Sequence, residues 1–454
     1  MQEKQKTDRR SQVTDHSSKI TDHRSQITHH PSPITRLKVM TVVGTRPEII
    51  RLSATIKLLD KYTNQVFVHT GQNYDYELNE IFFDDLGLRK PDHFMNVSRD
   101  SLGAAIGDIF KKTEEIIELE KPDALLVLGD TNSCLSAYMA KRKHIPIFHM
   151  EAGNRSFDFN VPEEINRRII DHIADFNLVY TEHARRHLIS EGLPHRRIYL
   201  TGSPMYEVLQ QNMEKINNSS VLERLNQQFK EEVSQSNTVD NTVVHCEPNK
   251  YFMVSVHREE NVDNPENLKK ILTILNNLAD AYKLPIIVST HPRTRKRIEA
   301  LDSSQITGHS SLIHYMKPFG FTDYVALQKN ALCTISDSGT ISEESTMLGF
   351  PAISLRQSME RPEAQDAGKI ILTGFEPDVV LNAIATVIDE HQTQITDHSS
   401  QITDHSPQIT DHKSQITNHQ SPQEYFIPNT SWRVVKLILG NTKLSNKWWG
   451  INNS

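Results

Sequence analysis

The sequence predicts an α/β protein built from two doubly wound, Rossmann-like parallel sheets, with a ligand bound between their strand ends. Three observations lead there. Short apolar runs of strand length, such as 123–128 (DALLVL) and 145–148, alternate with amphipathic helical stretches through residues 37–205. After an irregular segment the same alternation restarts at 251–256. In both halves polar residues gather where a strand's carboxyl end opens into a loop, which is where doubly wound sheets hold their ligands.

The 454 residues suffice for two domains of ordinary size. A formal net charge of -7 argues against nucleic acid or an anionic membrane as the main partner, so anionic ligands must be met by local arginines. Cys134, Cys246 and Cys333 are scattered, odd in number and lack a CxxC pair, as expected of reduced cysteines in a cytoplasmic protein. Residues 1–36 lack the apolar centre of a signal peptide, and no apolar stretch is long enough to span a bilayer.

Two tracts stand apart by composition. Val13, Ile20, Ile27 and Ile34 lie seven residues apart within copies of a unit like SQITDHS, which returns around Ile395, Ile402, Ile409 and Ile416. A coiled coil needs two apolar positions per heptad, and this unit has one. Both tracts bury too little to offset ordering entropy and are expected to be disordered; their Asp-His pairs would bind metal only weakly. The expected organisation is a tail (1–36), a first domain (37–205), a linker (206–249), a second domain (250–390), a repeat insertion (391–422) and a terminal helix with tail (423–454).

In chain order, LKVMTVVGTRPEII reads as a strand, a turn at Gly44, and a helix opened by Pro47. A turn feeding a helix N-terminus is a ready anion site, and Arg46 stands in it; a plain strand–turn–helix junction explains the motif equally. A strand follows at 64–70, then a loop and helix in GQNYDYELNEIFFDDLGL, a helix at 101–119 and the strand 123–128. Asp130 leaves that strand, either to cap the next helix or to face a ligand. The strand 145–148 ends in His149, Glu151 and Gly153, and Pro162 then starts a helix along which Ile165, Ile169 and Ile173 share one face. Glu163 and Glu164 would complement that helix's dipole, but Glu151 at a strand end has no such explanation. Together they suggest acid–base work on a bound substrate.

Strands at 178–180 and 197–200 close the first domain. In the second, the strand 251–256 ends at His257 among charged residues, one at 285–290 ends at His291, and 321–330 is helical. The strand before Asp337 runs into Ser338, Gly339 and Thr340, which open a helix carrying Glu343 and Glu344. Free N–H groups and a hydroxyl at a helix start suit a diphosphate, and Glu344 one turn in suits ribose hydroxyls. A simple Ser cap would explain Ser338 but not Arg361 with Glu363 beyond the next strand. A terminal amphipathic helix is expected at 431–439.

The ordered motifs GTRPEII, LGDTNS, HMEAGNRS, VPEEINRR, VHREEN, ISDSGTISEE and MERPEA resemble the non-hydrolysing UDP-N-acetylglucosamine 2-epimerases. The resemblance implies a GT-B-like pair of domains, a homodimer, a UDP-sugar substrate, and no metal or redox cofactor. It also implies a mechanism of anti elimination of UDP and re-addition through a 2-acetamidoglucal. On matching positions it makes Asp130, Glu151 and Glu163 acid–base candidates and puts His257 near the leaving diphosphate. Arg46, Arg51, Ser338, Gly339, Thr340, Glu344 and Arg361 resemble the UDP-binding set, with Tyr324 a partner for the uracil face. Arg51 stands where many members have Lys, and Thr340 where many have a second Gly. The stretches HTGQNYDYELNEIFFDDLGL, STHPRTRKR, MKPFGFTDYVALQKNA and NTSWRVVKLILG are similar to a subgroup acting on 6-deoxy sugars. That likeness favours UDP-2-acetamido-2,6-dideoxy-L-talose, giving UDP-N-acetyl-L-fucosamine for surface polysaccharide, over UDP-N-acetylglucosamine. A GT-B glycosyltransferase, a non-catalytic nucleotide-sugar sensor and a hydrolysing epimerase are the rival readings.

Overall fold

A computed structural model describes residues 36–71, 83–235, 245–290, 292–299, 311–402 and 422–448. Seven parallel strands form the first sheet: β1 (Lys38–Val43), β2 (Asn64–His69), β3 (His93–Phe94), β4 (Ala124–Leu128), β5 (Ile147–Met150), β6 (Phe176–Val179) and β7 (Ile198–Leu200). Their order is β3-β2-β1-β4-β5-β6-β7. The second sheet contains β8 (Phe252–Ser255), β9 (Ile286–Ser289), β10 (Ile313–Met316), β11 (Cys333–Ser336), β12 (Ala352–Ser354) and β13 (Ile371–Leu372), in the order β10-β9-β8-β11-β12-β13. Each order reverses once, at β1/β4 and at β8/β11, so each sheet opens a crevice at the carboxyl ends of those pairs.

The strands are short and apolar because helices cover both faces. Along β1 the faces alternate: Val39 and Val43 join the core with Ile49, Leu52 and Ile56 of the helix Arg46–Tyr62. Met40 and Val42 meet Ile109 and Ile116 of the helix Leu102–Glu120 on the other side. The second sheet buries Val254, Ile286 and Ile335 against the helices Pro265–Tyr282 and Pro377–Ile402. The terminal helix Thr430–Trp448 returns to the first sheet's side. Its Val434, Val435 and Ile438 enter the same core as Val39, and its Trp432 ring lies 5.3 Å from Tyr62.

The structure corrects several expectations. The helix Pro377–Ile402 runs on into the tract expected to be disordered. Val380, Ile384 and Ile388 anchor it in the core, and a helix nucleated there propagates at little cost. The terminal helix extends past Leu439 to Trp448, held by buried Thr442 and Ser445. On the helix Pro162–Ile173 the isoleucine stripe is not the core face. Ile165 and Ile169 are 47% and 42% exposed, whereas Glu164, Arg167, Ile170 and Asp171 are buried. Strands β3, β10 and β13 are additional to the expected elements; β3 and β13 have two residues each, too few to show a period. The expected loop and helix around 72–82, His291, the tail 1–35 and the rest of the repeat insertion lie outside the described residues. Among those described, no helix is long and apolar enough to cross a membrane.

One glycine ties the first sheet to its surroundings. Gly153 has φ +82°, and a Cβ there would sit 2.4 Å from the Ala184 carbonyl oxygen in the helix Glu182–Ser190. Gly349 also has a positive φ but faces open space. Gly153→Ala should therefore lower the melting temperature far more than Gly349→Ala, whose cost is the left-handed backbone alone, about 1 kcal/mol. Equal shifts in thermal melts of the two variants would count against a steric lock at Gly153.

Candidate active site

The crevices of the two sheets bring charged loops together. The loop after β1 contributes the turn Gly44–Thr45, whose backbone donors are already engaged. Glu48 accepts from Gly44 N at 2.9 Å and Thr45 N at 2.7 Å, in a capping box. This corrects the expected anion site at that turn: the first helix caps itself. Arg46 remains beside it, half-buried at the first helical residue.

Glu151, just past β5, has φ +64°, an unusual conformation for a residue with a side chain. Its carboxylate is gripped by Arg51 and, at 2.5 Å, by Arg361 Nη2. Arg361 also pairs with Glu343, and Arg51 Nη2 lies 3.8 Å from the same carboxylate. Two arginines and two glutamates thus alternate in a buried ring that joins both sheets, with Tyr180 beneath Arg361. Burial alone would push Glu151 up; Arg51 and Arg361 outweigh it and hold the carboxyl at about 2.

A second cluster surrounds Asp130. Arg167, fully buried, pairs with Asp130, with Glu164 at 3.0 Å and with Glu360 at 3.4 Å. Glu360 also meets Arg356 at 2.7 Å and Arg258 at 3.3 Å, and these cations hold it well below the usual range against its burial. Asp130 moves the other way. Burial raises it, and nearby Glu360 and Glu151 oppose the pull of Arg167. Glu163 is raised too, by burial and then by the charge of Asp130. Glu151 and Glu360 are thus held as anions while Asp130 and Glu163 have raised proton affinity, the separation that acid–base chemistry uses.

His257, leaving β8, keeps a side chain 46% exposed while its Nδ1 lies 3.1 Å from Asp337. Asp337 is fully buried and takes the N–H groups of His257 and Arg258 and the amide of Asn261, which with the imidazole hold it at about 2 despite burial. The ring is thereby tethered at one nitrogen. Ser338, Gly339 and Thr340 precede the helix Ile341–Leu348, which has no side-chain cap. A Cβ at Gly339 would stand 3.5 Å from Glu360 and 3.7 Å from Arg258 and Arg356, so the loop lies against the second cluster. Thr340 has φ -89°, a conformation open to any residue, which explains why a second glycine is unnecessary. Glu344 is buried and accepts from Gln328 at 2.8 Å; burial raises it. Tyr324 is half-buried near Glu344, its hydroxyl bonded to Ser255 and Ser336 at the ends of β8 and β11.

Sequence reasoning missed the groups that arrange these side chains. Arg167, Arg258, Asp337, Glu343 and Glu360 were given no role. The signal for Arg167 was Glu164, Arg167, Arg168 and Asp171 at helical spacing, a charged stripe where an apolar one was sought. His149 is a fully buried clamp, Nε2 against the Gly129 carbonyl at 2.7 Å and Nδ1 2.9 Å from Asp171, which also receives Arg155 at 2.7 Å. It ties the Asp130 loop to the Pro162 helix. No group of three or more His, Cys, Asp or Glu side chains among the described residues is set to hold a metal ion.

Two Rossmann-like sheets facing each other across a cleft rich in arginines and carboxylates define a GT-B-like enzyme, a class that handles nucleotide sugars. Comparison with known proteins narrows this. The family model described as UDP-N-acetylglucosamine 2-epimerase matches residues 58–438. The chain is 35% identical over 358 residues to the UDP-N-acetylglucosamine 2-epimerase of Methanococcus maripaludis, covering 78% of this chain and 93% of the relative. The structure of UDP-N-acetylglucosamine 2-epimerase from Rickettsia bellii superposes with TM-score 0.75 at 44% identity, over 91% of this chain and 100% of that one. That of the Methanocaldococcus jannaschii UDP-GlcNAc 2-epimerase in complex with UDP-GlcNAc and UDP does so with TM-score 0.72 at 30% identity, over 89% and 99%. The protein belongs to the UDP-N-acetylglucosamine 2-epimerase family.

Behind the cleft, Glu363 is buried, accepts from the Tyr425 hydroxyl at 2.9 Å, and is pushed up to about 7 by that burial. Its folded value lies above its ordinary 4.5, so its contribution favours the fold at low pH and is lost as pH rises from about 4.5 to 7. Glu363→Gln keeps the shape and removes the titration. Wild type should therefore lose stability relative to this variant between pH 5 and pH 8, by about 3 kcal/mol. Urea unfolding of both at each pH checks the direction; parallel pH profiles would contradict it.

Proposed function

We propose that this chain is a non-hydrolysing UDP-N-acetylhexosamine 2-epimerase. The observation that carries the reading is the sorting of carboxylates beside a diphosphate-compatible loop: Asp130 and Glu163 raised, Glu151 and Asp337 held at about 2. In the proposed reaction one raised carboxyl group, as its anion, removes the C2 proton while the C1–O bond to UDP breaks. A 2-acetamidoglucal forms, UDP adds back at C1, and the other group delivers a proton to the opposite face of C2. Glu151 serves as an acid–base partner only when its arginines turn to substrate; otherwise it is their anchor. His257, Arg361, Arg46 and the Ser338–Thr340 loop would hold the diphosphate as its charge develops, and Glu344 the ribose. Arg51 stays with the diphosphate set, and Tyr324 with the uracil end.

UDP-N-acetylglucosamine is the substrate that the relatives' names support. The 6-deoxy-L-talose derivative is the second reading, favoured by the stretches TGQNYDYELNEIFFDDLGL and MKPFGFTDYVALQKNA. A homodimer is part of the proposal, on the resemblance to the family alone.

Proton NMR in D2O with each UDP-sugar in parallel tests the reaction and the substrate together. Deuterium should enter C2 of one sugar as its epimer accumulates with UDP retained; absence of exchange in both would sink the proposal. Glu163→Gln and Asp130→Asn should each lower kcat by about a hundredfold or more. Calorimetric UDP affinity should change little in both, and a loss confined to UDP binding would remove these residues from acid–base work.

A further inference from the structure

Asp130 and Glu360 come from opposite sides of the cleft and converge on one nitrogen atom. Asp130 follows β4 in the first sheet, and Glu360 lies in the loop after β12 in the second. Arg167 Nη2 donates to Asp130 Oδ2 and also stands 3.4 Å from Glu360 Oε2. Its Nη1 donates to Glu164 at 3.0 Å. The Arg167 side chain is fully buried, so its charge is divided among three carboxylates with little screening by solvent.

The two carboxylates that share Nη2 differ in what else they hold. Glu360 Oε1 accepts from Arg356 at 2.7 Å and from Arg258 at 3.3 Å. Both arginines belong to the second domain, so Glu360 reaches the cleft as an anion fixed by its own side. Asp130 meets Arg167 and must share it. Around Asp130, Glu151 after β5 and Glu163 at the start of the Pro162 helix are themselves carboxyl groups. Burial keeps the nearby Cys134 thiol neutral. Asn166 spends its amide on the Asp130 backbone carbonyl at 2.9 Å, not on the carboxylate. Glu163 in turn faces Asp130, Glu360 and Arg258. A carboxyl group among like charges, with a divided counter-ion, favours its protonated form.

We infer that Glu360 is a positioning residue acting on Asp130: by holding part of Arg167 from across the cleft, it leaves the Asp130 carboxylate only partly neutralised, as a proton acceptor must be. Its own oxygens are engaged with arginines, so it works through Arg167 rather than on the sugar. The acid–base work of Asp130 rests on the epimerase reading, whereas the division of Arg167 stands without it.

Two variants of the full chain push the shared nitrogen in opposite directions. Glu360→Gln keeps the shape, removes the competing charge and releases Arg167 to Asp130, so Asp130 should titrate lower, by about one pH unit or more. Arg356→Gln removes a cation from the far side of Glu360, so Asp130 should titrate higher. Carbon NMR of protein labelled at the aspartate carboxyl carbons measures this without turnover, with Asp130→Asn identifying the signal. A proton acceptor works only as its anion, so the acid limb of the pH profile of C2 deuterium exchange should follow. It should move to lower pH in Glu360→Gln and to higher pH in Arg356→Gln. A residue that merely braced its loop would slow exchange without moving either titration. If Glu360→Gln fails to fold, the upward shift in Arg356→Gln decides. An Asp130 titration unmoved by the variants, shifts of the reverse sign, or an active enzyme whose exchange profile stays put would overturn the inference. A chain without C2 exchange whose Asp130 still shifts as stated would strike the epimerase reading and uphold the control of Asp130 by Glu360.

Discussion

The ring formed by Glu151, Arg361, Glu343 and Arg51 is the constraint on which the cleft depends. Its members lie far apart in sequence and come from both sheets, yet each is buried and ion-paired to the next. Buried ion pairs of this kind contribute less to net stability than their Coulomb energy implies, because desolvating the charges costs nearly as much. Their effect is selective. Removing one member would strand a buried charge at a cost of about 3–5 kcal/mol, so the two sheets are confined to arrangements in which all four meet or a ligand takes their place. A nucleoside diphosphate is such a ligand, since it offers arginines the same bidentate anionic partners.

The second cluster carries the same logic closer to chemistry. Arg167 is shared among Asp130, Glu164 and Glu360, and Glu360 is shared in turn with Arg258 and Arg356. Because cations saturate Glu360, neighbouring Asp130 and Glu163 feel its negative charge while receiving less compensation of their own. Their elevated proton affinity arises first from burial and then from neighbouring carboxylates whose charge the arginines leave in place. The loop at Gly339 lies against Glu360, Arg258 and Arg356 of the same cluster.

Much of the fold was legible in the sequence. The run ALLVL in β4 is apolar throughout and β1 is apolar apart from Lys38 and Thr41, as suits strands buried on both faces, and Pro162 opens its helix at the residue expected. Motif residues at strand ends were legible for the same reason, because polar side chains there interrupt an otherwise apolar pattern. The helix Pro162–Ile173 was misread in its orientation. Its isoleucines follow helical spacing, but its buried face is charged, and no periodicity distinguishes a solvated charged stripe from one buried among partners. Residues 391–402 of the repeat tract are helical for a related reason: a helix anchored in a core carries weak sequence along with it.

By itself the sequence determined the two alternations of strand and helix, their doubly wound topology, and the residue types delivered to each strand end. These follow from local hydrogen bonding and from the burial of apolar runs, which adjacent residues specify. Only the tertiary structure decided which carboxylates remain anions and which are raised, and that Gly44 and Thr45 spend their donors on Glu48. Those outcomes depend on arginines and carboxylates hundreds of positions apart meeting at a few ångströms, and electrostatic energy depends on that distance and on burial, neither of which sequence spacing records.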